Sequence, residues 1–362
     1  MKGSLDTFHL GLSDLEEFLR SETNERLLVQ YLAERDASRL ATDERALLNE
    51  VVSVGTVRKR FVYALSIVSL YGLLERFLDS IIEEYVDRLS KAFSTYAALP
   101  EKLRENHLRF SLEMAKRIND DRWRSHTEEA VVSNLHACLS GSSTFKLNSF
   151  AFSARRGNAS TTKISEQLSG VCISHPARRI VLSSIFRSYL SSIGDSTDVE
   201  RAPDEEVQNK LGGIDDLVER RNEVAHGVLN ISQIESIELL EARGRFVKAY
   251  VEALHSVLLR EALKYEIDLG KAISLGKPIA TYNHAIICFH KTTCAIARGT
   301  HLAYLTGKEL NPIQFGAVST IEVDGTPTQE IEPSMQAAFG LKVAFRAIPD
   351  VEYFVLPDTA LN

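Results

Sequence analysis

One stretch of the chain, residues 57–93, has apolar side chains on nearly every side of a helical wheel. It is also the longest uninterrupted helical pattern in the sequence. Its apolar positions are Phe61, Leu65, Ile67, Val68, Leu70, Leu73, Leu74, Phe77, Leu78, Ile81 and Ile82. A helix that is hydrophobic all round needs neighbours on all sides to exclude water. The stretch therefore predicts the central helix of a helical bundle.

Helical patterns also lie on both sides of this segment, from the N-terminus to about residue 268. Two start signals, Ser13–Glu16 and Thr42–Arg45, lie in a strongly charged region of about 50 residues. A Ser/Gly/Asn/Thr-rich loop over 141–162 and an exposed acidic connection over 191–210 separate the later helices. Those helices are predicted at 100–118, 123–139, 163–170, 177–190 and, beyond the connection, a short helix around Arg221 and a long final helix capped by Ser232.

Beyond residue 269 the pattern changes to short β-branched or aromatic runs punctuated by Gly and Pro, as in a small all-β barrel. The runs are 280–289, 295–305, 313–323, 338–347 and 352–356. They resemble the second-domain barrel of translation GTPases in four places: Gly270–Ala272, Arg298–Leu302, Ile321–Gly325 and Glu352–Leu356. The predicted fold is mainly an α-helical bundle followed by a small all-β barrel. Its predicted parts are an N-terminal helical extension (1–50), a helical domain (51–268) and a β-barrel domain (269–362).

Composition narrows the classes of function. The chain has 362 residues, comfortable for two domains, and a net charge of -7. An acidic average disfavours indiscriminate nucleic-acid binding but permits a local basic site. The N-terminus has no apolar signal region, and no window approaches 18 uninterrupted apolar residues, so we expect neither secretion nor a membrane partner.

The four cysteines are scattered, which argues against structural zinc and disulfides and suits a reducing cytoplasm. His284, Cys288, His290 and Cys294 suggest a metal cluster, yet their even spacing also fits the ordinary alternation of a strand. We expect no metal and no cofactor. Nucleotide-binding glycine loops, GxSxG and HExxH are absent from the sequence.

The strongest functional signal is the run Arg221-Asn222-Glu223-Val224-Ala225-His226, followed by Gly227. Helical spacing places Arg221 within an apolar stripe and sets Asn222 and His226 four apart on its flank. A guanidinium on a core-facing stripe is unfavourable unless it is paired, so chemistry is one reason to retain it. The alternative is that the Arg221 stem reaches water and His226 merely ends a helix whose dipole favours a cation.

This run resembles the signature of RNase-type HEPN proteins, an Arg, a polar residue, spacers and a His. It is most similar to the MAE-type and RiboL-PSP-type groups of bacterial defence and RNA-processing islands. Two further stretches share the resemblance, Ala64–Glu75 as an early core helix and Leu147–Val171. The similarity covers roughly residues 50 to 265.

The resemblance implies metal-independent RNA cleavage to 2′,3′-cyclic phosphate and 5′-hydroxyl ends. Histidine is the residue type whose unperturbed pKa lies nearest neutrality, so His226 suits general acid–base work, and Arg221 offers a planar cation for phosphate oxygens. Asn222 would orient His226 or hold a phosphate. Arg220 is the second candidate for the cation. Glu75 would either neutralise Arg221 or stand as an exposed carboxylate.

HEPN domains typically dimerise so that two motifs line one cleft, and we therefore expect a homodimer. A basic island supports RNA as a partner, since Glu166 is the one acidic residue between Gly141 and Arg179. Its cations are Lys146, Arg155, Arg156, Lys163, Arg178 and Arg179, and its interleaved Phe145, Phe150 and Phe152 suit stacking on unpaired bases. The alternative is a solvated loop whose phenylalanines turn inward.

Two functions follow. The first is an endoribonuclease acting as a toxin or antiviral effector, with a possible antitoxin or regulatory protein as partner. The second is a non-catalytic HEPN module that dimerises and binds RNA or protein. Identification of RNA ends after incubation in EDTA separates the two.

Overall fold

A computed structural model describes residues 1–34, 41–118, 126–153, 158–227, 234–333 and 337–357. Helices fill the first three quarters of the chain. They are α1 Lys2–Glu34, α2 Thr42–Ser53, α3 Gly55–Ala92, a 3₁₀ turn at Tyr96–Ala98, α4 Glu101–Ala115, α5 Glu128–Leu139, α6 Phe150–Ser153, α7 Thr161–Gly170, α8 Pro176–Leu182, α9 Ser184–Ser192, α10 Asp204–Lys210, α11 Gly212–Ala225 and α12 Ile237–Asp268.

The prediction of a central helix is confirmed, because α3 packs against α1, α11 and α12. Its fully buried side chains include Tyr63, Ile67, Leu74 and Tyr85. By length and composition alone, α3 is also the one described helix that could cross a membrane. Its contacts with three neighbouring helices account for much of that apolar composition.

Helix α1 belongs to the same core as α3. It begins at Lys2 rather than at the predicted Ser13–Glu16, and it buries Phe8, Leu12, Leu15 and Leu19 in the main hydrophobic cluster. The second start signal is confirmed, since α2 begins at Thr42 and the Glu44 carboxylate accepts from the Ala41 N–H at 2.9 Å. The division at residues 50 and 268 stays a prediction.

Three helix boundaries differ from the sequence prediction. The helix predicted over 177–190 breaks at Ser183, whose hydroxyl accepts from the Phe186 N–H and caps α9. The predicted acidic connection contains α10, because three carboxylates in its first turn favour a helix N-terminus. Helix α12 begins at Ile237 with Ser236 as its cap, and Ser232 lies outside the described residues.

The β part is one curled antiparallel sheet, a half-barrel, with a small two-stranded sheet beside it. The described strands are β1 Ile273–Gly276, β2 Ala280–Tyr282, β3 Ile286–Phe289, β4 Ile296–Ala297, β5 His301–Leu305, β6 Ile313–Val323, β7 Thr326–Thr328, β8 Glu330–Ile331, β9 Phe339–Val343 and β10 Tyr353–Val355. In the main sheet they run in the order β1-β10-β5-β6-β9-β3-β2, with β7 paired to β6, while β4 pairs with β8.

The two parts share an apolar seam. Leu259, Leu263 and Ile267 of α12 form one buried cluster with Ala303, Ile313 and Leu356 of the β part. Beside the seam, Arg260 donates to the Asn311 side-chain oxygen at 3.1 Å and to the Ile313 carbonyl. The last helix is therefore the element that attaches the sheet to the bundle.

Candidate active site

Helix α11 carries the Arg221–His226 run and lies against α3. Its apolar positions Ile214, Leu217 and Val218 are buried. Asp215 fastens it to the start of α7, accepting from the Thr161 N–H at 2.9 Å and from the Thr161 hydroxyl at 2.5 Å. The helix ends at Ala225, with His226 as its C-cap and Gly227 at φ 69°, a conformation that favours glycine.

Arg221 continues the buried face of α11 and is half-buried. Its guanidinium carbon lies 4.8 Å from the centre of the Tyr71 ring, and Nη1 donates to the Asn222 side-chain oxygen at 3.1 Å. A guanidinium over an aromatic face is stabilised without losing its charge. None of the contacts described for Arg221 is with a carboxylate, so that charge is left for an external anion.

Tyr71 connects this arginine to two further groups. Its hydroxyl donates to Glu75 at 2.8 Å and accepts from the Ala159 N–H at 3.2 Å. Burial raises the pKa of Tyr71, so the ring stays a neutral hydrogen-bonding platform near pH 7. Glu75 is therefore linked to Arg221 through Tyr71, and the Ala159 N–H brings the middle of the basic island to the same place.

Asn222 and His226 occupy the solvent side of the helix end. Asn222 is half-buried and His226 is exposed. The His226 backbone N–H donates to the Asn222 carbonyl at 2.9 Å. Among the described residues, the His226 ring has no hydrogen-bond partner. Five positions on an α-helix separate Arg221 and His226 by about 140° around the axis, so the two side chains leave α11 in different directions.

Arg220 has a different environment from its neighbour. It donates to the Tyr63 hydroxyl at 3.0 Å, and it pairs with Asp216 at 3.1 Å and Glu235 at 3.2 Å. Arg243 joins the same carboxylates, at 2.6 Å for Glu235. Although burial alone would lower the pKa of Arg220, its hydrogen bonds to Tyr63 and Asp216 raise it well above the ordinary value.

A small groove of about 430 Å³ beside Arg220 is lined by Asp216, Glu219, Glu223 and Glu235. Four carboxylates repel phosphate and already neutralise the arginine. Arg220 thus holds α11 to α3 and to the start of α12, whereas Arg221 is the cation left open.

The predicted RNA-binding cations do not form one surface. Lys146 and Lys163 are exposed, and Lys163 pairs with Glu166 at 2.9 Å. Arg178 donates to Asp204 at 2.7 Å and also to the Ala202 carbonyl. Arg179 is only 3% exposed and donates to the buried Glu261 at 2.9 Å. The expectation that Arg179 meets RNA on an open surface is wrong, because the chain buries it. Arg155 and Arg156 lie outside the described residues.

The aromatic residues of that island turn inward, as the alternative interpretation expected. Phe152 is buried and packs edge-on against Phe110. Phe145 packs against Tyr96, and Phe150 stacks on His126 with ring centres 3.7 Å apart. These rings hold the loop against α4, the 3₁₀ turn and the residues just before α5, and they leave Phe152 unavailable for stacking on bases.

Sequence reasoning missed the two tyrosines of α3 that hold the neighbouring arginines. Tyr63 and Tyr71 are eight residues apart, about 12 Å along the helix, and they contact Arg220 and Arg221 respectively. Tyr71 lies within the stretch that resembles the family, but its apolar neighbours suggested only a place in the core. Its hydroxyl could have revealed the role, because a polar atom on an otherwise apolar helix needs a partner when it is buried.

Within the described ranges, no group of three or more His, Cys, Asp or Glu side chains is placed to hold a metal ion. The four cysteines are free thiols. Cys288 and His284 lie in and beside β3 as members of the sheet.

Comparison with known proteins identifies one family. The model of the family described as RiboL-PSP-HEPN matches residues 38–260, well over half of the chain. No curated protein and no solved structure matches the chain. The matched region contains both α3 and α11, and with them Tyr71 and the Arg221–His226 run.

Proposed function

The chain belongs to the RiboL-PSP-HEPN family, and from that premise we propose that it is an endoribonuclease that cleaves RNA without a metal ion. One observation carries the proposal. The Arg221 guanidinium rests on Tyr71 with no carboxylate among its described contacts, and the exposed imidazole of His226 follows five residues later at the end of the same helix. A cation and an imidazole are the groups that metal-independent phosphodiester cleavage uses.

The chemistry uses the nucleophile that RNA itself carries. The 2′-oxygen attacks the adjacent phosphorus, the bond from phosphorus to the 5′-oxygen breaks, and the products are a 2′,3′-cyclic phosphate and a 5′-hydroxyl. His226 takes the 2′-hydroxyl proton or donates one to the departing 5′-oxygen. Arg221 stabilises the negative charge that builds on the non-bridging oxygens. Asn222, which already contacts Arg221, helps to fix the guanidinium.

We propose that the active form is a homodimer. A stripe of α3, Phe61, Leu65 and Val68, is 72%, 52% and 45% exposed and leads along the helix toward Tyr71. Large exposed apolar patches mark contact surfaces. Because Arg221 and His226 leave α11 in different directions, a second copy docked on this stripe would supply the complementary group to each site.

RNA contacts outside the cleavage site are assigned to Lys146 and Lys163, which are exposed. Arg155 and Arg156 remain proposals from the sequence alone. We also propose a role as a toxin or antiviral effector, restrained by an antitoxin or another regulatory protein, on the resemblance to HEPN families of bacterial defence islands.

The test is incubation of the purified protein with total RNA in excess EDTA, followed by identification of the ends. The proposal expects 2′,3′-cyclic phosphate and 5′-hydroxyl ends, with activity that elutes with the protein on gel filtration. Ends of 3′-hydroxyl and 5′-phosphate type, or activity that separates from the protein, would contradict it.

A non-catalytic RNA- or protein-binding module is the second candidate. One observation favours it, since within the described part of the chain no side chain orients the His226 ring. This candidate would be selected if the RNA stays intact in the EDTA experiment and the same protein binds RNA in a binding assay.

A further inference from the structure

A second cationic site lies between the helical part and the sheet, away from α3 and α11. It is a cleft of about 1100 Å³, lined by α8, α9, α12 and the turn that leads into β6. Four of its lining residues are cations: Arg179, Arg187, Arg260 and Lys308. In a chain with a net charge of -7, this concentration of positive charge needs an explanation.

The cations at the rim and at the wall differ in their partners. At the rim, Arg187 pairs with Glu200 at 3.0 Å, and both side chains are mostly exposed. At the wall, Arg260 donates to the Ser256 hydroxyl, the Asn311 amide oxygen and the Ile313 carbonyl, and none of its described contacts is a carboxylate. Burial and the nearby charge of Arg179 lower the pKa of Arg260. An anion in the cleft would relieve that repulsion.

Arg179 provides a second, independent observation. Only 3% of its surface is exposed, and one of its nitrogens, Nη1, donates to Glu261 at 2.9 Å. Its Nε and Nη2 are buried without a hydrogen-bond partner. A buried donor without a partner is destabilising, because it has lost its hydrogen bonds to water and gained none in the protein. Glu261 therefore satisfies only part of this guanidinium, which stands as a positive charge at the wall of the cleft.

The remaining donors suit an oxyanion. Ser183 and Ser184 line the cleft at the start of α9, and Ser188 lines it one turn further on. Ser183 caps the Phe186 N–H of this nine-residue helix, and the N–H groups of Ser184 and Ile185 have no partner within the helix. Hydroxyls, forked guanidinium groups and a helix N-terminus together are typical of phosphate recognition. Glu200 and Glu309 at the rim oppose the passage of a long polyanion but leave room for a compact one.

We propose that this cleft binds a small phosphate-bearing molecule of nucleotide size. The volume of about 1100 Å³ slightly exceeds the roughly 300–1,000 Å³ usual for small-molecule sites, so a nucleotide fits. Arg260 and Lys308 contact the phosphate, and Arg179 reinforces the positive field behind them. Because Arg260 also bonds to the β6 turn, the ligand ties the sheet to the bundle. The assignment is independent of RNA cleavage.

Calorimetric titration of the full chain tests it, with inorganic phosphate, pyrophosphate and each ribonucleoside triphosphate as separate probes. The variant Lys308→Ala changes an exposed side chain and Arg260→Gln keeps hydrogen-bonding capacity, so both should fold. Each is expected to weaken binding about tenfold or more, as charged hydrogen bonds contribute. The matched control Lys277→Ala, an exposed lysine of the β part outside the cleft, should bind as the wild type does.

Three outcomes would overturn the proposal. One is the absence of binding below about 1 mM for every probe. Another is undiminished binding in both Lys308→Ala and Arg260→Gln. The third is binding of a single-stranded oligoribonucleotide that Lys308→Ala weakens while no small phosphate binds, which would assign the cleft to RNA. Selective binding of one triphosphate over inorganic phosphate would support it and identify the base.

Discussion

Two regions of the helical part place a histidine beside an asparagine with opposite results. In the core, His107 and Asn148 are fully buried, and each has its polar atoms bonded. His107 Nε2 accepts from the Asn148 N–H at 3.0 Å, while the Asn148 amide donates to Ser111 and to the Val131 carbonyl. At the end of α11, His226 is exposed and Asn222 contacts Arg221 alone among described side chains.

The contrast separates structure from chemistry. Because His107 Nε2 accepts a hydrogen bond, its proton lies on Nδ1 and faces the Tyr96 oxygen at 3.3 Å. Burial lowers the pKa of His107 to about 4, so the ring stays neutral. A satisfied ring of this kind stabilises a loop and has nothing left for a substrate. Among the described residues nothing bonds to the His226 ring, and the proposed function assigns its two nitrogens to the RNA.

The largest expected effect is on cleavage. Arg221→Ala removes the charge that faces the phosphate, and we expect the rate to fall about 10²–10³-fold, as for the loss of one stabilising group. Arg221→Lys keeps the charge but not the planar fork, so it should recover only part of the rate. Single-turnover cleavage of one RNA substrate measures both. Arg201→Ala, at an exposed arginine, is the control and should cleave normally.

In the core the corresponding change acts on stability. Asn148→Ala removes the side-chain hydrogen bonds to Ser111, the Val131 carbonyl and Asn134 from a fully buried position, and we expect a loss of about 2–4 kcal/mol in the free energy of unfolding. Urea denaturation at pH 7 measures it. Asn209→Ala, on the exposed face of α10, should change stability by less than about 0.5 kcal/mol. Equal effects of the two variants would contradict the account of the network.

Acid should affect the core through His107. Its folded pKa of about 4 lies below the unfolded value of about 6.5, so the unfolded chain binds the proton first. The contribution of the neutral ring is therefore complete above pH 6.5 and is lost as the pH falls toward 4, by on the order of 3 kcal/mol. Between pH 7 and pH 4 the unfolding free energy of the wild type should therefore fall more steeply than that of His107→Gln, by that amount. Parallel curves would show that His107 does not titrate in this way.

A smaller effect is expected at the apolar stripe of α3. Phe61→Glu places a charge on the proposed dimer surface, and we expect dimer dissociation to become at least about tenfold more favourable. Sedimentation equilibrium of wild type and variant measures it. Leu139→Glu, at a comparably exposed leucine on α5, is the matched control. A wild-type protein that is monomeric at high concentration would remove the dimer from the account.

The sequence predicted α3, the run of short strands and the family, because each depends on local sequence patterns. The apolar positions of α3 follow the helical period throughout, and β6 occupies the predicted 313–323. Helix α10 and the break at Ser183 were missed, because both depend on a few capping residues. The burial of α1 against α3 depends on tertiary packing, which its charged sequence did not reveal.

At the candidate site, the position of Arg221 on the buried side of α11 agrees with the helical period. The difference between Arg220 and Arg221 could not be predicted, because it depends on Tyr63, Tyr71 and Glu235, which are distant in sequence. Arg179 shows the same limit in the other direction. It looked like part of an RNA-binding island, yet its partner Glu261 lies on α12 and burial removes it from the surface.

The most direct measurement compares His226→Ala with His136→Ala in EDTA on one labelled RNA. Both histidines are exposed and lie at the C-terminal end of a helix, so substitution should leave the melting temperature unchanged in each. The account predicts that His226→Ala loses about 10²–10⁴-fold in the rate of forming cyclic-phosphate ends, while His136→Ala cleaves like the wild type. Equal rates for His226→Ala and the wild type would contradict it.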